Sequence, residues 1–176
     1  MVLFKSYISE EVLRGAWEII VAPVYHTGMI PTLMPIVLGG VVLELYFGKY
    51  SEESLGWNSS VSNSIIWVST GLTLLLTADL GALSEKAVSY FLICLGGFVG
   101  YMNFFHKWSA TVAFIASSSG VVYSVAYVSV VMIKSGMEVN ETSLQSAAIS
   151  LAAIGLFFQA IKFIEPSVRE PLEIQG

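Results

Sequence analysis

Few side chains in this sequence are suited to chemistry, and counting them excludes most reactions. Asp79 is the only aspartate. A paired-aspartate protease, or the aspartate-rich magnesium site of a prenyl or phosphatidyl transferase, therefore lacks its partner groups. The two histidines, His26 and His106, belong to no His-Glu-x-x-His zinc motif. Ser117, Ser118 and Ser119 precede Gly120 and could suggest a hydrolase with His106 as base, but the Gly-x-Ser-x-Gly pattern is missing. Hydroxyls in apolar helices ordinarily bond the preceding turn or a neighbouring helix. The single cysteine, Cys94, allows no intrachain disulfide and no thiolate zinc site. In an apolar run it reads as a small packing residue. The expectation is a non-enzymatic protein with no catalytic, cofactor or metal residues.

The elements that would position any site must be read from an unusually apolar chain. Of 176 residues, 55% are hydrophobic and 12% charged, against about 45–50% and 25% in soluble domains. Mean hydropathy is +0.75. So few charges could not cover the surface of a soluble fold of this size. The formal charge of −5, with scattered cations, offers no footprint for nucleic acid and no polybasic lipid site. Residues 1–6 hold Lys5 but no long apolar region or small-residue cleavage site, so no cleaved signal peptide is expected.

Five apolar stretches approach the roughly 20 residues that cross a bilayer core. They run near 29–47, 64–80, 87–105, 110–133 and 144–164, and are too uniformly apolar for barrel strands. Before them, Ile8, Val12, Leu13, Ala16, Ile19 and Ile20 recur at helical spacing, with Glu10, Glu11, Arg14 and Glu18 opposite. That pattern, with Ser9 as cap and Trp17 at headgroup level, predicts an amphipathic helix lying in the membrane interface. The expected fold is all-α: an interfacial helix within residues 1–27, a five-span bundle over 28–165 and a polar tail over 166–176. Orientation is undecided, because four Lys or Arg fall on each side. The sequons at Asn58 and Asn140 fall on opposite sides, so at most one could be glycosylated.

Three constellations stand out. Gly96 and Gly100 are spaced Gly-x-x-x-Gly, and Ala116, Gly120 and Ser124 continue four-residue spacing in the fourth span. Such faces let helix backbones approach, within one protomer or between subunits. The short turn 106–109 predicts that the third and fourth spans pack as a hairpin through these residues. Within the loop after the first span, Tyr46, Tyr50, Trp57 and Asn58 are candidate contacts, whether for the interface or a ligand. Finally, Glu44 and Lys162 lie at matched depths near span ends on the same side. They could form a partly hydrated ion pair, although Lys162 alone could reach water. The central depth otherwise offers hydroxyls, which disfavours a proton pump but permits a serine-lined pore.

The string Glu44-Leu45-Tyr46-Phe47-Gly48-Lys49-Tyr50, continued by Glu53, Leu55-Gly56-Trp57-Asn58 and Asn63-Ser64, resembles a signature of uncharacterised small archaeal membrane proteins. The resemblance implies an archaeal context, mobile elements included, and carries no activity.

The functional expectation is a multi-pass cell-membrane protein, partnered by the lipid bilayer, acting as a packing or assembly subunit of a homo- or hetero-oligomer. The alternative is a small channel or transporter with a Ser/Thr-lined path. Three acids in the amphipathic segment would each cost about 2.5–3.5 kcal/mol at the bilayer centre. Cysteines introduced at Glu11 and Pro23 should therefore label from the same side of the membrane; labelling from opposite sides would add a sixth span.

Overall fold

The computed structural model describes residues 8–49, 56–161 and 164. Among these there is no strand, and five helices are long and apolar enough to cross a membrane. Helix α1 (Glu10–Tyr25) precedes a 3₁₀ turn and α2 (Ile30–Lys49). Helices α3 (Trp57–Thr77) and α4 (Leu83–Phe104) follow. The fourth span comprises α5 (Ala110–Ala116) and α6 (Ser119–Lys134), and α7 (Glu141–Ile161) is the fifth. The polar segment 166–176, Tyr50 and Lys162 lie outside the described residues.

Helix α6 is the hub, packed on α2, α3 and α7. Its residues from Val128 to Ile133 are all buried, and Val130 and Val131 are fully enclosed. The other spans turn one side outward, with exposed Leu38, Leu76, Phe98 and Leu156 among their lipid-facing residues. In a bilayer this is the economical arrangement, because lipid tails solvate such side chains as well as protein does.

The most extensive contact between helices joins α3 and α4. A Cβ placed on Gly96 would lie 2.7 Å from the Ser64 carbonyl oxygen and 2.9 Å from the Val68 nitrogen. One placed on Gly71 would lie 2.6 Å from the Ser89 carbonyl oxygen. The backbones therefore touch where side chains are missing. The hairpin expected between the third and fourth spans is thus corrected. Gly96 and Gly100 face Ser64 of α3, while α4 makes only sparse contact with α5 and α6. A short turn makes two helices neighbours but does not decide which partner receives the small-residue face.

Helix α1 carries three faces. Val12, Ala16, Ile19 and Ala22 are buried. Leu13, Trp17 and Val24 form an exposed apolar stripe. Glu11, Arg14 and Glu18 line a groove with Glu138 and Asn140, in the connection from α6 to α7. The charged face therefore sits beside a connection between spans. Ser9 caps the helix, accepting from the Val12 N–H at 3.2 Å. The buried face is fastened by hydroxyls donating to backbone carbonyls: Ser146 Oγ to Val12 O at 2.9 Å, Ser150 Oγ to Ala16 O at 3.0 Å, and the Tyr127 hydroxyl to Ile20 O at 3.0 Å.

Two adjacent glycines test the packing. Gly96→Ala should lower the melting temperature in detergent, because the methyl group meets fixed backbone. Gly97→Ala meets nothing within 4 Å and should leave the temperature unchanged or raise it, since alanine is better in a helix by about 1 kcal/mol.

Candidate functional site

The fourth span is not one helix. Helix α5 ends at Ala116, its C-cap Ser117 has φ −102° and ψ 13°, and Ser118 is extended at φ −62° and ψ 145° before α6 begins. The sequence expectation of one continuous helix from Ala110 is corrected here. Ser117 is fully buried at the break, so protein must satisfy the backbone groups left there. Asn63 of α3 donates Nδ2 to the Ser117 carbonyl at 2.8 Å. Asn103 of α4, fully buried, donates Nδ2 to Ser117 Oγ at 2.7 Å and to the Ser60 carbonyl at 3.2 Å. Its Oδ1 accepts from Trp108 Nε1 at 2.7 Å. One turn below the break, Trp67 Nε1 donates to the Val122 carbonyl at 3.0 Å.

Glu44 of α2 reaches this break. It is 0% exposed, and its Oε1 accepts from Ser119 Oγ at 2.5 Å. The carboxylate lies against the first turn of α6. A Cβ on Gly120 would stand 3.5 Å from Glu44 Oε1 and 3.4 Å from Gln159 Nε2. Ser118 supplies no side-chain cap to α6. The first N–H groups of a helix are orphaned and carry the positive end of its dipole, so a carboxylate there meets a favourable field. Gly120 leaves room for the approach. Expected at the interface and partly hydrated, Glu44 is instead enclosed, because α6 and α7 close over it.

The remaining candidates are dispersed. Lys162 lies outside the described residues, so the proposed pair with Glu44 does too; α2 and α7 do pack together, Gly40 resting against Phe158. Ala116 ends α5, half-buried. Ser124 is buried, its Oγ without a hydrogen-bond partner, toward Gly155 of α7. Trp57 and Asn58 belong to the first turn of α3; Asn58 is exposed, while Trp57 stacks on His106 with ring centroids 4.0 Å apart. Tyr46 lies in α2. Among the described residues no group of three or more His, Cys, Asp or Glu could hold a metal ion.

A second polar feature occupies the other half of the bundle, where α2 begins and α3 and α6 end. A cleft of about 370 Å³ lies between these helices. Thr70, Thr73 and Thr77 of α3 line one wall, Pro35 and Ile36 of α2 another, and Tyr123 and Lys134 belong to α6. Along α3 the polar residues Ser60, Asn63, Thr70, Thr73 and Thr77 thus serve both the helix break and the cleft, with buried Trp67 between. Sequence reasoning missed Asn63 and the role of Asn103. Their signal was present: amides at helix-helix spacing are costly in lipid unless they bond backbone.

No protein-family profile, curated protein or solved structure matches the chain. The fold class is nonetheless plain: an all-α protein with five helices long and apolar enough to span a membrane.

Trp108→Phe removes the donor to a buried carbonyl group of Asn103 and should cost about 1–3 kcal/mol, measured by denaturation in detergent. Ser69→Ala removes only an exposed hydroxyl bonded to Ile66 O of its own helix and should be neutral within about 0.5 kcal/mol.

Proposed function

We propose that the protein is a multi-pass cell-membrane carrier or channel for a small solute, with the hydroxyl-lined cleft and the helix break as the two halves of its path. The observation that carries this reading is the broken central helix beside the fully enclosed carboxylate of Glu44. Discontinuous helices recur where transporters hold ions and substrates, because unwound backbone and helix ends supply partial charges at depth. A continuous, cheaper helix would serve a purely structural span. In this reading α1 lies in the interface on the side where the cleft begins, and Trp67 and Tyr123 separate the cleft from the break in the closed state.

The assembly-subunit reading draws on the same small residues, but Gly71, Gly96 and Gly100 meet neighbours within the chain. That leaves fewer small faces for a second subunit. The archaeal context implied by the loop string is compatible with either role.

Full-length protein in liposomes should carry sodium, potassium, proton or carboxylate-anion current above protein-free vesicles, and Glu44→Gln should reduce it at least tenfold. Asn58→Ala, on the exposed first turn of α3, should leave it unchanged. Absence of current for every ion in the wild type, or full current in Glu44→Gln, would reject the reading.

A further inference from the structure

We propose that the cleft between α2, α3 and α6 binds an amphipathic monoanion, its anionic head at Lys134 and its apolar body against Pro35, Ile36 and Ile66. This names the substrate class for the path proposed above and rests on that reading of the cleft.

The argument starts with charge. Lys134, half-buried in the last turn of α6, is the only ionisable side chain among the described residues lining the cleft, apart from the phenol of Tyr123. It forms no ion pair among the described residues, in contrast to Arg14 and Glu18, 3.8 Å apart on α1. Among the described residues no carboxylate lines the cleft. A lone ammonium beside a low-dielectric cavity favours an anion over a neutral or cationic ligand.

The walls then fix the rest of the ligand. Pro35, Ile36 and Ile66 offer apolar surface, so a small inorganic ion would leave most of the cavity unfilled. The hydroxyls are fewer than they look. Thr77 Oγ1 donates to the Thr73 carbonyl at 2.7 Å and Ser69 Oγ to the Ile66 carbonyl at 3.1 Å, which turns both groups back to their own helix. Among the described residues, Thr70 and Thr73 bond no other side chain. From Thr77 to Ile66 the α3 wall runs eleven residues, roughly 16 Å at the helical rise. At the inner end Tyr123 closes the space, its ring held against Gly39, where a Cβ would lie 2.9 Å away. A charged mouth, an apolar shaft and a closed end suit one head and one chain. A free fatty carboxylate and the chain of an anionic phospholipid share this chemistry.

The test uses the full-length protein in zwitterionic nanodiscs, with labelled octanoate as probe and octanol and octylammonium as competitors. Octanoate should bind saturably, octanol and octylammonium at least tenfold more weakly. Lys134→Gln should erase that preference, Lys134→Arg should keep it, and Lys107→Gln, in the turn after α4, should not change it. Native mass spectrometry of protein extracted from membranes decides the source. Anionic phospholipid retained by the wild type and lost in Lys134→Gln identifies a bilayer lipid; none retained, with octanoate bound, identifies a free amphiphile. Equal binding of all three probes with no retained anionic lipid, or a Lys134→Gln variant that behaves as wild type, overturns the inference. Binding requires no transport. A protein that binds octanoate as described but conducts nothing rejects the carrier reading alone, whereas one that conducts through Glu44 without this preference rejects the anion site alone.

Discussion

Every backbone amide and carbonyl at membrane depth must find a partner within the protein, and the break in the central helix is where that demand is hardest to meet. Among the described residues, helices α1 to α4 and α7 meet it with their own ladders. The fourth span does not, and the surrounding architecture answers for it. Asn63 and Asn103 converge on Ser117 from two helices, and Trp108 orients Asn103 in turn. Each amide is held at both ends or set against backbone, so none can move alone. Such a network in low dielectric is strong when complete and costly when one member is lost. It ties α3, α4 and α5 into one unit at the end of the bundle where those helices meet.

The rest of the packing follows a second rule suited to lipid. Without a hydrophobic drive, helices associate where backbones can approach and where hydroxyls can reach a carbonyl. The α3–α4 seam uses the first device, through Gly71 and Gly96. The α1–α7 seam uses the second, through Ser146 and Ser150, each of which also bonds the turn before it on α7. Gly15 completes that seam, its missing side chain leaving space for Ser146. Helix α6, at the centre, is instead valine-rich, because the helix surrounded by others needs bulk to fill the space between them.

Much of this was legible in the sequence. Five apolar runs mark five membrane-length helices because length and hydropathy are set directly by the bilayer. The amphipathic pattern of α1, with Ser9 as its cap, appears as a helix of that extent. What the pattern hid follows from what hydropathy measures. Residues 57–63 read as loop because Asn58, Ser59, Ser60 and Asn63 lower the average, yet α3 begins at Trp57. Their polarity belongs partly to the inside of the bundle. Similarly, Ser117-Ser118-Ser119-Gly120 offers cap and turn residues, but the apolar runs on both sides read as one span. Its partners Asn63 and Asn103 are distant in sequence, so the run alone does not report them. Glu44 was singled out by position, but its enclosure depends on how α6 and α7 lie, which a span diagram does not contain. The candidate site was therefore visible as residues and invisible as an assembly.

The fastening of α1 onto α7 has a consequence for the order in which the molecule is made. The bonded serines and their acceptor carbonyls are separated by 134 residues. At ribosomal rates of about 5–20 residues per second, α1 would wait roughly 7–27 s for its partner to emerge. During that interval the face bearing Val12, Ala16 and Ile19 has no helix to cover it. A helix with one charged and one apolar side suits a membrane surface in that interval. Docking of α1 then becomes the late, long-range event of assembly, closing the bundle only after the final helix is in place.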